Sequence, residues 1–124
     1  MKAGIVAAVA LAGMLASGGA MADGNELLTR CQSMVQYFDS NGVEGDALSA
    51  GLCVGVIIGV TSLRTITNPS FPKEYQTCFP SPVPPNIQAG RIAVKYMKEH
   101  PENLNMDDGV IMLMALQRAF PCKK

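Results

Sequence analysis

The chain has 124 residues, ten basic side chains balanced by ten acidic ones, four cysteines, one histidine and no tryptophan. A neutral balance argues against a nucleic-acid binder, which needs a basic face to exchange for counterions. With few aromatics the core must come from Leu, Ile, Val, Met and Ala, and a domain this small gains only modest stability from burial, so covalent crosslinks are expected.

Lys2 precedes an apolar run over residues 3–16, and the small-residue stretch that follows closes on Ala20-Met21-Ala22. A charged n-region, an apolar h-region and an Ala-x-Ala site predict a secretory signal over residues 1–22, cleaved after Ala22. The run is short for a membrane span of about 20 residues and no stop-transfer flank follows it. No cysteine stands at the cleavage point, which argues against a lipoprotein. Residues 23–124 then form one mature domain, close to neutral once Lys2 is removed.

Between residues 25 and 39, Leu27, Leu28, Cys31, Met34, Val35 and Phe38 fall at the three-and-four spacing of one helix face, with Cys31 on the buried side. Ser40-Asn41-Gly42 breaks the chain, Gly42 offering the left-handed backbone that terminates helices. A second helix is predicted over residues 45–63. Its uncharged stretch carries Gly51, Gly55 and Gly59 at four-residue spacing, a pattern that lets helix backbones approach closely in membranes. Only 17 residues separate Asp46 from Arg64, too few for a comfortable span, so no stable membrane insertion is expected. The preferred reading is a buried central helix whose glycine stripe receives a packed neighbour.

Residues 65–85 carry Pro69, Pro72, Pro80, Pro82, Pro84 and Pro85 and cannot form continuous helix. A third helix should begin near Pro85, at a first position where proline is tolerated, and end at His100-Pro101. Asn105 with Asp108 three residues on resembles a helix start. The fourth helix, over residues 106–120, is apolar nearly all round and is therefore expected to be central.

Cys31, Cys53, Cys78 and Cys122 are widely spaced, contain no C-x-x-C, and have only His100 to supplement them, which disfavours a metal site. In an oxidising compartment they read as two disulfides, with three possible connectivities. Cys31 and Cys53 lie eleven residues to either side of Gly42, level across an antiparallel hairpin. That favours Cys31 with Cys53, leaving Cys122 to return to Cys78 at the head of the third helix. The predicted fold is all-α: a small bundle of about four helices, in two helical hairpins, with two disulfides and a proline-rich connecting loop. No catalytic constellation accompanies His100, and an even, oxidised set of cysteines leaves no free thiol for a Cys and His dyad. The expectation is a protein that is not an enzyme and needs no cofactor.

Several blocks carry a family resemblance: Gly24-Asn25-Glu26-Leu27-Leu28 with Cys31, Gly51-Leu52-Cys53-Val54-Gly55 with Gly59, Cys78-Phe79-Pro80 with Val83, Lys95-Tyr96 with His100-Pro101-Glu102, and Ala115-Leu116 with Ala119-Phe120-Pro121-Cys122. In order and spacing the chain resembles the type VI secretion amidase immunity proteins, the Tai family. It departs from that pattern at Leu52, Val56 and Thr77, where aromatics are usual, and at Pro84, where a threonine cap is. The resemblance implies a periplasmic helical protein that binds a peptidoglycan amidase effector and occludes its catalytic cleft, acting in some members as a homodimer. The alternative from another class is a periplasmic helical chaperone or envelope-assembly factor.

An occluding inhibitor needs a stiff protruding segment whose side chains fill a pocket on the enzyme. Residues 65–77, with Phe71, Lys73, Glu74 and Tyr75, are the first candidate, because a proline-stiffened loop loses little entropy on binding. The turn over residues 100–105, led by His100, is the second.

Overall fold

The computed structural model describes residues 22–123, and the signal segment expected over residues 1–22 lies almost wholly outside them. Four helices make up the fold: α1 (Gly24–Asp39), α2 (Ala47–Thr67), α3 (Asn86–Glu99) and α4 (Asp108–Ala119), with single 3-10 turns at Asn68–Ser70, Lys73–Tyr75 and Pro101–Asn103. Among the described residues there is no strand, only two isolated bridges, Asp23 with Asp107 and Thr77 with Pro121.

Each of the first two helices starts where an aspartate satisfies a backbone donor that has no partner inside the helix. Asp23 accepts from the Glu26 amide at 3.1 Å, and Asp46 accepts from the Ser49 amide at 2.8 Å. These bonds favour the charged form, so both carboxylates are held below the usual aspartate range. The turn between α1 and α2 needs left-handed backbone at Asn41, Gly42 and Gly45. Gly45 has the stricter requirement. Its φ is 71°, and a Cβ there would lie 2.3 Å from the Ser33 carbonyl oxygen. Ser33 and Asp46 close this turn, the Ser33 hydroxyl accepting from the Asp46 amide and donating to the Asp46 carboxylate, each at 3.0 Å.

The core follows the three-and-four spacing seen in the sequence. Leu27, Cys31 and Met34 from α1 meet Ala50, Cys53 and Ile57 from α2, Ala89, Ala93, Tyr96 and Met97 from α3, and Ile111, Met112, Ala115 and Leu116 from α4. Gly90 lets α3 approach α1 closely, since a Cβ there would meet the Met34 Cε at 2.9 Å. Both disulfides form, Cys31 with Cys53 and Cys78 with Cys122. For loops of 22 and 44 residues, the loop-entropy model assigns them about 3 and about 4 kcal/mol.

Four expectations are corrected. α4 touches all three other helices but is not enclosed by them: it buries one stripe, Ile111, Met112, Ala115 and Leu116, and leaves Val110 exposed, because its apolar residues exceed what one side of the bundle can cover. Its start lies at Asp107–Asp108 rather than at Asn105, since residues 104–106 instead supply carbonyls to the first turn of α1: Gly24 donates to Met106 at 2.9 Å and Asn25 to Leu104 at 3.1 Å. Pro85 caps α3 from outside rather than occupying its first position. The glycine stripe of α2 receives no neighbour from within the chain. A Cβ at Gly51, Gly55 or Gly59 would meet nothing within 4 Å. The disulfide to α1 turns the Cys53 side of α2 inward and leaves the glycine side facing out.

Candidate functional site

The connection after α2 is ordered by its own side chains. Asn68 acts as a two-point clamp: its amide nitrogen donates to the Thr77 carbonyl at 2.8 Å and its amide oxygen accepts from the Thr77 backbone N–H at 3.1 Å. This pair ties the two ends of residues 68–77 together as a backbone bridge would. Within the loop, Gln76 donates to the Phe71 carbonyl at 2.8 Å, and Gln117 from α4 donates to the Glu74 carbonyl. Pro69 and Pro72 fix φ at two further positions. The chain is thus held at its base, its flank and its tip.

Beneath the loop lies a second layer of restraint. The Cys78 amide donates to the Phe120 carbonyl at 2.8 Å, and the Cys78–Cys122 disulfide fastens the exit of the loop to the end of α4. Phe79 and Phe120 meet edge to face with centroids 5.2 Å apart, and the Arg64 guanidinium lies 4.6 Å above the Phe79 ring. What projects from this base is Phe71, Lys73, Glu74 and Tyr75, all exposed, with Tyr75 at 61%. Two aromatics thus stand on a braced loop, where little ordering would remain to be done on contact with a partner.

His100 stands apart from this group. It caps the C-terminus of α3 by donating its amide to the Tyr96 carbonyl at 3.0 Å, stacks on the Tyr96 ring with centroids 4.4 Å apart, and contacts Glu102 through Nδ1 at 3.0 Å. Glu102 is held below its usual range by its own backbone amide and by the His100 contact. The turn that follows His100 leads into the start of α4, whereas the 68–77 loop leans on Gln117 near its end. Phe71, Lys73, Glu74 and Tyr75 thus share one loop, and the contacts of His100, to Tyr96 and Glu102, include none of them. Among the described residues no three His, Cys, Asp or Glu side chains converge as a metal site.

Asn68, Gln76 and Gln117 were not singled out from the sequence, where an Asn-Pro step reads as a simple helix breaker. Their roles depend on partners 9, 5 and 43 residues away. Thr77 is a different case. It is 2% exposed and its hydroxyl has no hydrogen-bond partner, at the position where the resembling family carries an aromatic.

Residues 23–122, the whole of the helical unit just described, match the family model of the Rap1a immunity proteins. The chain belongs to this family. A Rap1a immunity protein works by binding a cognate effector rather than by catalysis. Neither the curated proteins nor the solved structures contain a match to the chain.

Proposed function

We propose that this Rap1a immunity protein acts in the periplasm, where it inhibits a type VI secretion peptidoglycan amidase by inserting the 68–77 loop into the catalytic cleft. The observation that carries this reading is the loop itself: it is clamped at both ends by Asn68, fastened at its exit by a disulfide, and presents Phe71 and Tyr75 to solvent. Occlusion needs a projection that stays rigid while its aromatic tips lose water, and that is what this base supplies. Lys73 and Glu74 between the tips can hydrogen-bond with the polar lip of a cleft. One loop serves one cleft, whether the chain acts alone or as a pair.

Export is supported by the junction at Ala22. The family match begins at residue 23, the first residue left after the expected cleavage, and the Asp23 carboxylate already caps α1. The matched domain starts where the predicted signal ends. Two disulfides, with no free cysteine among the described residues, suit an oxidising compartment.

The test uses the mature chain and a panel of type VI effectors of different chemistry, with binding read by calorimetry and inhibition by release of cleaved peptidoglycan stems. Wild type should inhibit a peptidoglycan amidase and leave effectors that act on lipid or nucleic acid untouched. Phe71→Ala with Tyr75→Ala should weaken that binding by at least about 100-fold, the loss of two hot-spot aromatics, while thermal unfolding falls only a little, because Tyr75 is 61% exposed and Phe71 37%. Full inhibition by the double variant would sink the loop assignment. Protection only against an effector of another class would sink the amidase.

A further inference from the structure

The surface around the second half of α3 carries charge that the fold does not use. Four of the nine basic residues of 23–124, Arg91, Lys95, Lys98 and Arg118, are exposed there; with Asp39 and Glu99 on the same side, the rest of that span holds five basic residues against eight acidic ones. Arg91, Lys95 and Lys98 follow one another at four and three residues, the spacing of one helix face. Arg91 is paired with Asp39, whereas Lys95 reaches Glu99 only at 3.9 Å with its side chain 75% exposed. Lys98 and Arg118 take part in no ion pair among the described residues.

These cations line a furrow rather than a convex patch. Between α3 and α4 a groove of about 210 Å³ is walled by Ile92, Tyr96 and Ala115, with Lys95, Glu99 and Arg118 as its charged members. A second groove, of about 460 Å³, shares Lys95 and Glu99 with the first and extends along α3 past Val94 to Arg91 and Lys98. A third, of about 500 Å³, shares Lys98 and passes to Gln32 and Gln36 of α1 and to Asp46 and Ser49 at the start of α2. The shared residues make the three one continuous furrow: apolar-walled at the α4 end, cationic in the middle, and supplied with uncharged hydrogen-bonding groups at the α1 end. Its parts fall in the size range of ligand sites.

We propose that this furrow binds the stem peptides of peptidoglycan, the substrate of the proposed effector, and so holds the protein on the cell wall. A stem peptide is a short chain of small and charged residues, with alanine methyls, free carboxylates on glutamate and on a diamino acid, and an ammonium group on the latter. Lys95, Lys98 and Arg118 supply cations for the carboxylates, and such charge-assisted bonds are the stronger ones. Glu99 supplies an anion for the ammonium, the pocket beside Ile92 and Ala115 takes an alanine methyl, and the Gln32 and Gln36 amides can both donate to and accept from peptide groups.

Interleaved charge selects this occupant. An acidic protein surface needs cations alone, and Glu99 beside Lys95 and Asp46 beyond Lys98 would repel it. A membrane needs apolar side chains that enter the acyl boundary, and between Arg91 and Lys98 the furrow offers only Val94. Phe71 and Tyr75 line no part of it, so occupancy leaves the loop free. The choice of ligand rests on the amidase reading, but the test needs no effector.

Titration of the isotope-labelled mature chain with the synthetic tetrapeptide L-Ala-D-Glu-diaminopimelate-D-Ala, read by amide chemical shifts, should give a dissociation constant in the hundreds of micromolar, as suits an open site. Shifts should appear at Gln36, Lys95, Lys98 and Arg118 and not at Phe71 or Tyr75. The peptide with its carboxylates amidated should bind at least about tenfold more weakly. Lys95→Gln with Arg118→Gln should weaken the native peptide by as much, with thermal unfolding and effector inhibition unchanged because both side chains are exposed. Absence of shifts at about 10 mM peptide, or an affinity indifferent to the double variant, overturns the inference. So does equal binding of L-Ala-D-Glu-L-Glu-D-Ala, which would reduce the furrow to an unselective basic patch. Flotation of the wild type with anionic vesicles, or loss of effector binding in the double variant with peptide binding intact, overturns it in favour of a membrane or of the effector. An effector that proves not to be an amidase leaves the titration standing, so the two proposals fail separately.

Discussion

The two disulfides are the same chemistry put to opposite uses. Cys31 and Cys53 are wholly buried and lie among Leu27, Met34 and Ile57, so their bridge is part of the core. Cys78 is exposed and Cys122 half-buried, and their bridge fastens the exit of the 68–77 loop to the end of α4. One crosslink defines which face of α2 looks inward; the other defines how stiffly the loop stands out. Position in the packing, more than loop length, decides what a crosslink does.

The strongest way to break that comparison is to remove each bridge in turn. Cys31→Ala with Cys53→Ala should cost about 5 kcal/mol, combining about 3 kcal/mol of loop entropy with the loss of two core side chains, and denaturant unfolding should show the mature chain close to unfolded at 37 °C. Cys78→Ala with Cys122→Ala should cost about 4 kcal/mol at most and should weaken effector inhibition more than it disturbs the helical signal by circular dichroism. If the two variants behave alike, the division between fold and site is wrong.

Graded reduction tests the same division without mutation. A small thiol reaches Cys78 but not the buried pair, so alkylation with mass mapping should find Cys78 and Cys122 labelled first, with inhibition falling in step while helicity persists. Labelling of Cys31 at the same reductant concentration would contradict the burial that separates the two bridges.

Thr77 sharpens the view of the exposed end. Its buried hydroxyl is unpaired, so Thr77→Val, which keeps the shape and removes the unpaired group, should stabilise the protein by about 1 kcal/mol. Calorimetry would read this as a rise in the unfolding temperature with the loop still functional.

The smallest effect concerns acid. Asp23 and Asp46, the caps of the hairpin that holds the buried bridge, are kept below the usual aspartate value by the Glu26 and Ser49 amides. A depressed folded pKa contributes stability that is complete above the unfolded value, about 3.9, and is lost as the pH falls through the folded one. Stability should therefore be flat from neutrality to about pH 5 and decline below about pH 4. Asp46→Asn keeps an acceptor at the cap and should flatten part of that decline while leaving stability at pH 7 nearly unchanged. An unaltered acid profile in the variant would rule Asp46 out as a contributor.

How much of this could be read in advance depended on the range of the interaction. Four helices, the proline-rich break and both disulfides were legible, because heptad-like spacing and the symmetric placement of Cys31 and Cys53 about Gly42 are local facts. The aromatic pair Phe71 and Tyr75 was legible as a candidate, and its clamp was not, since Asn68 acts on Thr77 and Gln117 on Glu74 only after the chain has folded back. The helix starting at Asp108 was misplaced toward Asn105 because both residues carry cap-like side chains and only the position of α1 distinguishes them.

The glycine stripe draws the line most clearly. The sequence by itself determined that α2 would be an uncharged helix with three glycines in register, because period and composition belong to the segment alone. Which way that stripe would face was decided by the tertiary structure: a covalent bond at Cys53 and the burial of Ala50 and Ile57 rotate the other side inward. An apolar pattern states how much surface wants cover, and only packing assigns which part of it gets covered.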